Sequence, residues 1–281
     1  MDLRPHFIRR NAIAMLILTL IATSAMAQSP ALKNADLCNG QSNTQAEQKI
    51  AACTAFIESL EANATGLATA YNNRGNAYAG TGRYDLAIKD YDESIKLNPK
   101  TALAFNNRGV AYGKKGDYAR AISDFAAAIN IGEDDVDAVV NRGLAYGKMR
   151  DYDNALKDLD EAIRRRPKTG GLWNERCWIR AITGALQSAL ADCNEAIKLG
   201  PKTAAKFDSR GFTHLKLGQW TLAIDDFNAA LQRDPKQASS LYGRGIAKTK
   251  LGDLTGGTAD LSASRAVKPT IAAEYARYGL R

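Results

Sequence analysis

From Ala68 onward the chain alternates two kinds of apolar run, each at helical spacing and each about a dozen residues long. The first run of each pair begins near a large apolar residue: Tyr71, Phe105, Val139, Trp173, Phe207 and Leu241. The second centres on a small residue, Ala87, Ala121, Ala155, Ala189, Ala223 and Gly257. Gly82, Gly116, Gly184, Gly218 and Gly252 separate the runs, with Arg150 standing in once. Pro99, Pro167, Pro201, Pro235 and Pro269 follow the second run, where a proline stops a helix; Glu133 takes that place once. The pattern predicts six helical hairpins, at 68–101, 102–135, 136–169, 170–203, 204–237 and 238–271.

The period is 34 residues without a break: Arg74, Arg108, Arg142, Arg176, Arg210 and Arg244 mark it. A single hairpin cannot bury both of its apolar faces, so neighbours must stack into an all-α solenoid. Numbering from Ala68, small residues at positions 8, 20 and 27 allow close helix approach, and large ones at 4 and 24 fill the gap. Tyr78, Tyr112 and Tyr146 hold position 11, which then changes to Arg180, His214 and Lys248. These columns resemble the tetratricopeptide repeat, with an aromatic at 4, Gly at 8, Tyr at 11, Ala at 20, an aromatic at 24, Ala at 27 and Pro at 32. The resemblance covers 68–271 and implies a right-handed α-α superhelix of about six helix-turn-helix repeats. Residues 28–67 read as an N-terminal segment containing a degenerate repeat, and 272–281 as a C-terminal capping helix. The chain also resembles exported bacterial repeat proteins that open with a Cys…IAAC segment and end in IAAEYARYGL.

Position 7 is arginine and position 23 aspartate in all six repeats: Asp90, Asp124, Asp158, Asp192, Asp226 and Asp260. A guanidinium matches a carboxylate through two parallel bonds. The two rows are therefore expected to form a structural ion-pair ladder, which neutralises the arginines as anion sites.

Ahead of the repeats, Arg4, Arg9 and Arg10 precede an apolar run (12–22) and an A-x-A site at Ala25-Met26-Ala27. This predicts a signal peptide over 1–27, cleaved after Ala27, and hence a periplasmic or secreted protein without stable membrane insertion after cleavage. Losing three basic residues and one acid lowers the net charge from +8 to +6, mildly basic, with no indication of nucleic-acid binding. All four cysteines lie beyond residue 27, which suits disulfides in an oxidising compartment. Because each repeat touches only its neighbours, the expected pairs are local: Cys38–Cys53 and Cys177–Cys193.

Catalytic signals are weak. The chain past residue 27 has one histidine, His214, and no C-x-x-C. The segments GVAYGK (109–114) and GLAYGK (143–148) are one residue short of a phosphate loop and lie within helices. No enzyme, cofactor or metal is expected. The family resemblance implies instead a protein or peptide partner in a concave groove lined by the first helices. Carried over position by position, the groove residues are Asn72, Asn73, Asn76, Asn106, Asn107, Asn141 and Asn174, with an apolar stripe of Leu144, Trp178, Phe212 and Ile246 beside Tyr242. Amides suit a peptide backbone, and aromatic anchors dominate interface energy. The favoured function is an interaction scaffold in the bacterial cell envelope. The alternative is a binding protein for an envelope polymer, peptidoglycan or an acidic polysaccharide.

Overall fold

The computed structural model describes residues 30–40, 45–59, 63–132 and 135–280. The expected signal peptide lies outside the described residues. The fold is an α-α superhelix of antiparallel hairpins, with no strand among the described residues.

Two compact units divide the chain, one up to Lys100 and the other from Thr101. The first contains α1 (Pro30–Asn39), α2 (Ala46–Glu58), α3 (Ala64–Gly80) and α4 (Tyr84–Leu97). The second contains α5 (Ala102–Lys114), α6 (Tyr118–Ile131), α7 (Val136–Met149), α8 (Tyr152–Arg165), α9 (Gly170–Thr183), α10 (Leu186–Lys198), α11 (Ala204–Lys216), α12 (Trp220–Leu231), α13 (Ala238–Lys250), α14 (Leu254–Val267) and α15 (Ile271–Arg277). The last helix starts one residue before the expected cap and ends four residues short of the terminus.

Local chemistry sets the helix ends. Asp117, Asp135, Asp151 and Asp253 each precede a helix, and each carboxylate accepts a bond from a backbone N–H in the first turn. The turn between paired helices needs a left-handed residue. Gly82, Gly116, Gly184, Gly218 and Gly252 supply it with φ of 74–96°, and Arg150 adopts φ 63° at the same place.

Inside each hairpin one contact recurs between positions 8 and 24. A Cβ on Gly75 would stand 2.7 Å from the Tyr91 ring, and one on Gly109 would stand 2.7 Å from the Phe125 ring. The glycines are thus the holes into which the large side chains of the second helices fit. In the fourth repeat the same two places hold Cys177 and Cys193, which are disulfide-bonded with Cα atoms 5.3 Å apart. A covalent bond there replaces a knob-and-hole contact. Cys38 and Cys53 join α1 to α2 at a Cα separation of 4.7 Å. Both separations fall within the range a disulfide can span.

In the second unit the first helices of successive repeats touch, α9 against α11 and α11 against α13. Among the described residues of that unit, the second helices of successive repeats do not approach each other as closely. Closer spacing on one side curves the stack, and the first helices line the inner face.

Candidate functional site

Each position-7 arginine donates from Nε and Nη2 to the two oxygens of the aspartate sixteen residues on, at 2.6–2.9 Å. The carboxylates are buried, 2–7% exposed. A buried carboxylate requires such a partner, because an unpaired charge away from water is strongly disfavoured. Donating to the carboxylate raises the pKa of the Arg74 and Arg142 guanidinium groups above the ordinary value.

The third guanidinium nitrogen reaches back to the preceding repeat. Arg176 Nη1 donates to Asp160 (2.7 Å), Arg210 Nη1 to Asn194 (3.0 Å) and Arg244 Nη1 to Asn228 (2.8 Å). For Arg142 the equivalent residue is Ala126, which offers no side-chain acceptor.

The switch at position 11 has a counterpart in this ladder. Arg180 Nη1 donates to Asp192 at 2.8 Å, and Lys248 Nζ lies 2.9 Å from Asp260. His214 Nε2 is 3.6 Å from Asp226, with its Nδ1 2.6 Å from Gln219 Oε1. In the last three repeats the carboxylate thus faces a second basic side chain where the first three present tyrosine. Burial raises the Asp260 carboxyl, but the bonds from Arg244 and Lys248 more than offset it and hold it below its usual range. That pairing was legible in the sequence as a change of column from tyrosine to basic residues, although the ladder expectation stopped at position 7.

On the inner face of the second unit the apolar stripe has an occupant. Helix α15 and the residues after it cross the first helices of the fourth, fifth and sixth repeats. The Tyr275 ring meets Tyr242 (centroids 4.8 Å apart) and Phe212 (5.5 Å). The Tyr278 ring meets Phe212 (5.8 Å) and Trp178 (5.5 Å). Ile271 and Tyr275 are buried, and Leu280 packs on the same cluster. The Tyr275 hydroxyl donates to Ser239 O at 2.7 Å.

The expectation that Phe212, Tyr242 and Ile246 face an open groove is therefore corrected. All three are buried, Phe212 completely, because the tail lies over them. Leu144 and Trp178 stay half-buried. Beneath the tail, Asp208 accepts from Ser240 (2.6 Å) and Ser239 (2.9 Å). Burial pushes its carboxyl up to about 6, against the lowering effect of the two serines.

Several of the expected amide residues hydrogen-bond within the protein. In the first unit Asn73 donates to Asn39 (3.0 Å), Asn76 accepts from the Tyr91 hydroxyl (2.7 Å), and Asn72 is buried. In the second, Asn141 donates to Asn106 (3.0 Å), Asn107 is half-buried, and the buried Oδ1 of Asn174 has no hydrogen-bond partner among the described residues.

Sequence profiles of the tetratricopeptide repeat match residues 75–116, 102–135, 140–204 and 210–266. The chain belongs to the tetratricopeptide repeat family. A search among curated proteins returns no match. Among solved structures, this tetratricopeptide repeat chain is similar to YrrB, a repeat protein with an unusual peptide-binding site; identity is 22%, over 68% of this chain and 97% of that one, with a TM-score of 0.57. It is similar to PilW, a type IV pilus biogenesis factor, at 19% identity over 72% of this chain and 94% of that one, TM-score 0.64. The APC/C hetero-tetramer Cut9–Hcn1 aligns with 96% of this chain and 52% of the other at 16% identity, TM-score 0.69. Identities this low establish the shared fold alone.

The described residues of this repeat protein contain no group of three His, Cys, Asp or Glu side chains placed to hold a metal ion. None of its described helices is long and apolar enough to cross a membrane.

Proposed function

We propose that this protein is a non-enzymatic interaction scaffold of the bacterial cell envelope that holds a peptide segment or helix against the first helices of its repeats. One observation carries the reading. The inner face of the fourth to sixth repeats already seats a peptide segment, Ile271–Leu280, on an aromatic stripe. A surface that accepts ten residues of apolar-aromatic chain in cis has the shape and chemistry to accept such chain in general. The peptide-binding site of the structurally similar YrrB supports the same direction. Two disulfides and the signal-peptide pattern of residues 1–27 support an oxidising, exported compartment. The ladder contributes architecture, because each of its arginines is paired through two bonds with a buried carboxylate.

The test is affinity capture from an envelope extract with residues 28–281, run beside a Leu144→Ala/Trp178→Ala variant. Both substituted side chains are half-buried on the inner face, whereas replacing fully buried Phe212 would open a cavity costing about 3–5 kcal/mol and confuse binding with folding. A protein retained by the native chain and lost from the variant supports the scaffold. Retention of peptidoglycan or acidic polysaccharide, without protein, refutes it in favour of polymer binding.

A further inference from the structure

The tail that fills the stripe is weakly built for a permanent part of the solenoid. Helix α15 has seven residues, too few for a stable helix of its own, so its order comes from docking. Among the described residues its main anchors are three side chains at i, i+4 and i+7, namely Ile271, Tyr275 and Tyr278, with Ala272 and Leu280 packed beside them and a hydrogen bond from Tyr275 to the Ser239 carbonyl. Its ion pair, Lys268 with Glu274, lies within the C-terminal segment and does not tie it to the groove.

The floor beneath the tail opposes it. Asp208 is enclosed under α15 and, among the described residues, is bonded by two serine hydroxyls and no cation, unlike the ladder aspartates, each of which meets a guanidinium. Closing the tail over this carboxylate keeps it from water without a cation in exchange, and lifting the tail returns the water.

We propose that the groove over α9, α11 and α13 is a docking site for an amphipathic helix from a partner protein, carrying aromatic or branched apolar anchors at i, i+4 and i+7, and that this helix binds by displacing the chain's own tail. The proposal rests on the scaffold reading and adds the partner's anchor pattern and a resident competitor. The tail is the template for the ligand: Tyr275 fills the Phe212–Tyr242 end, Tyr278 meets both Phe212 and Trp178, and Ile271 is buried in the same cluster. A tethered segment competes at a high effective concentration, so an outside peptide must bind an empty groove more tightly than it binds the native chain.

The experiment uses the full chain with intact disulfides and a fluorescent peptide of residues 270–281 (TIAAEYARYGLR) as the probe, read by anisotropy. A Tyr275→Ala/Tyr278→Ala protein, whose tail has lost its anchors, is expected to bind the peptide at least tenfold more tightly than the native protein. A peptide with both tyrosines changed to alanine is expected not to bind. Equal affinity for the two proteins overturns the proposal, and so does undiminished binding of the alanine peptide. Should the variant lose helicity, hydrogen exchange on the native protein decides instead. Saturating peptide must accelerate exchange in residues 271–280 without accelerating it in α11, and unchanged exchange overturns the proposal. An envelope partner that binds the native and double-alanine proteins equally well would remove tail competition and leave the scaffold standing. Exchange of tails between two copies would show as a dimer that the free peptide dissociates, and this outcome would replace the outside partner with a second copy of the chain.

Discussion

Asp208 gives the most quantitative test of the packed inner face. Its carboxyl titrates near 6 in the folded protein, against 3.8 for the free side chain, because burial disfavours the charged form. The folded chain therefore holds a proton that the unfolded chain has released, between about pH 4 and about pH 6. Stability attached to this group is fully present in acid and is lost as the pH rises through that window. Two pH units at about 1.4 kcal/mol each give a penalty on the order of 3 kcal/mol at neutral pH. Asp208→Asn keeps the shape, accepts from one serine and donates to the other, and carries no charge at any pH. The variant is expected to be more stable than the native protein by up to about 3 kcal/mol at about pH 7.5, with the gap closing below about pH 4. Urea denaturation of both proteins across this range measures the gap, and the other titrating groups cancel in the difference. A difference that does not change with pH, or an asparagine variant less stable at neutral pH, refutes the reasoning.

Three further outcomes are expected. Arg150→Gly removes a left-handed side chain from a turn where five of the six repeats use glycine, and should stabilise by up to about 1 kcal/mol in a thermal melt, after allowing for the flexibility of glycine in the unfolded chain. Arg142→Ala should cost more than Arg176→Ala, because Asp192 keeps Arg180 as a second cation while Asp158 has only Arg142; the first loss is expected near 3–5 kcal/mol and the second well below it in denaturant titration. Reduction of Cys38–Cys53 and Cys177–Cys193 opens loops of 15 and 16 residues and should cost about 3 kcal/mol each, checked by denaturation with and without reductant and by thiol labelling of the intact protein.

Most of the architecture was legible in the sequence because it is local and repeated. Position 8 and position 24 must be complementary inside every hairpin, so Gly75 with Tyr91 and Gly109 with Phe125 announce themselves by spacing. The same logic places Cys177 opposite Cys193. The inner face was only half legible. The family resemblance implies that Phe212, Tyr242 and Ile246 point inward from the first helices, but it does not say what lies on top of them. That cover comes from residues 271–280, whose sequence has the character of a simple end cap, and whose docking depends on ring contacts between distant parts of the chain. The third bond of Arg176, Arg210 and Arg244 was likewise hidden, because it joins residues in different repeats whose types vary: the acceptor is aspartate or asparagine there, and Ala126 stands at the equivalent place for Arg142.

A solenoid of nearest-neighbour contacts behaves as a one-dimensional chain of units, each able to open with only its two borders lost. The contact between Trp178 and Tyr278 breaks that rule in the second unit. It returns the segment 271–280 to the fourth repeat and ties three hairpins into one loop. To fray the last repeat, the tail must first release its hold on the fourth and fifth. Residues 271–280 act as a clasp on cooperativity: with it closed, the last three repeats melt together, and with it open they melt in turn.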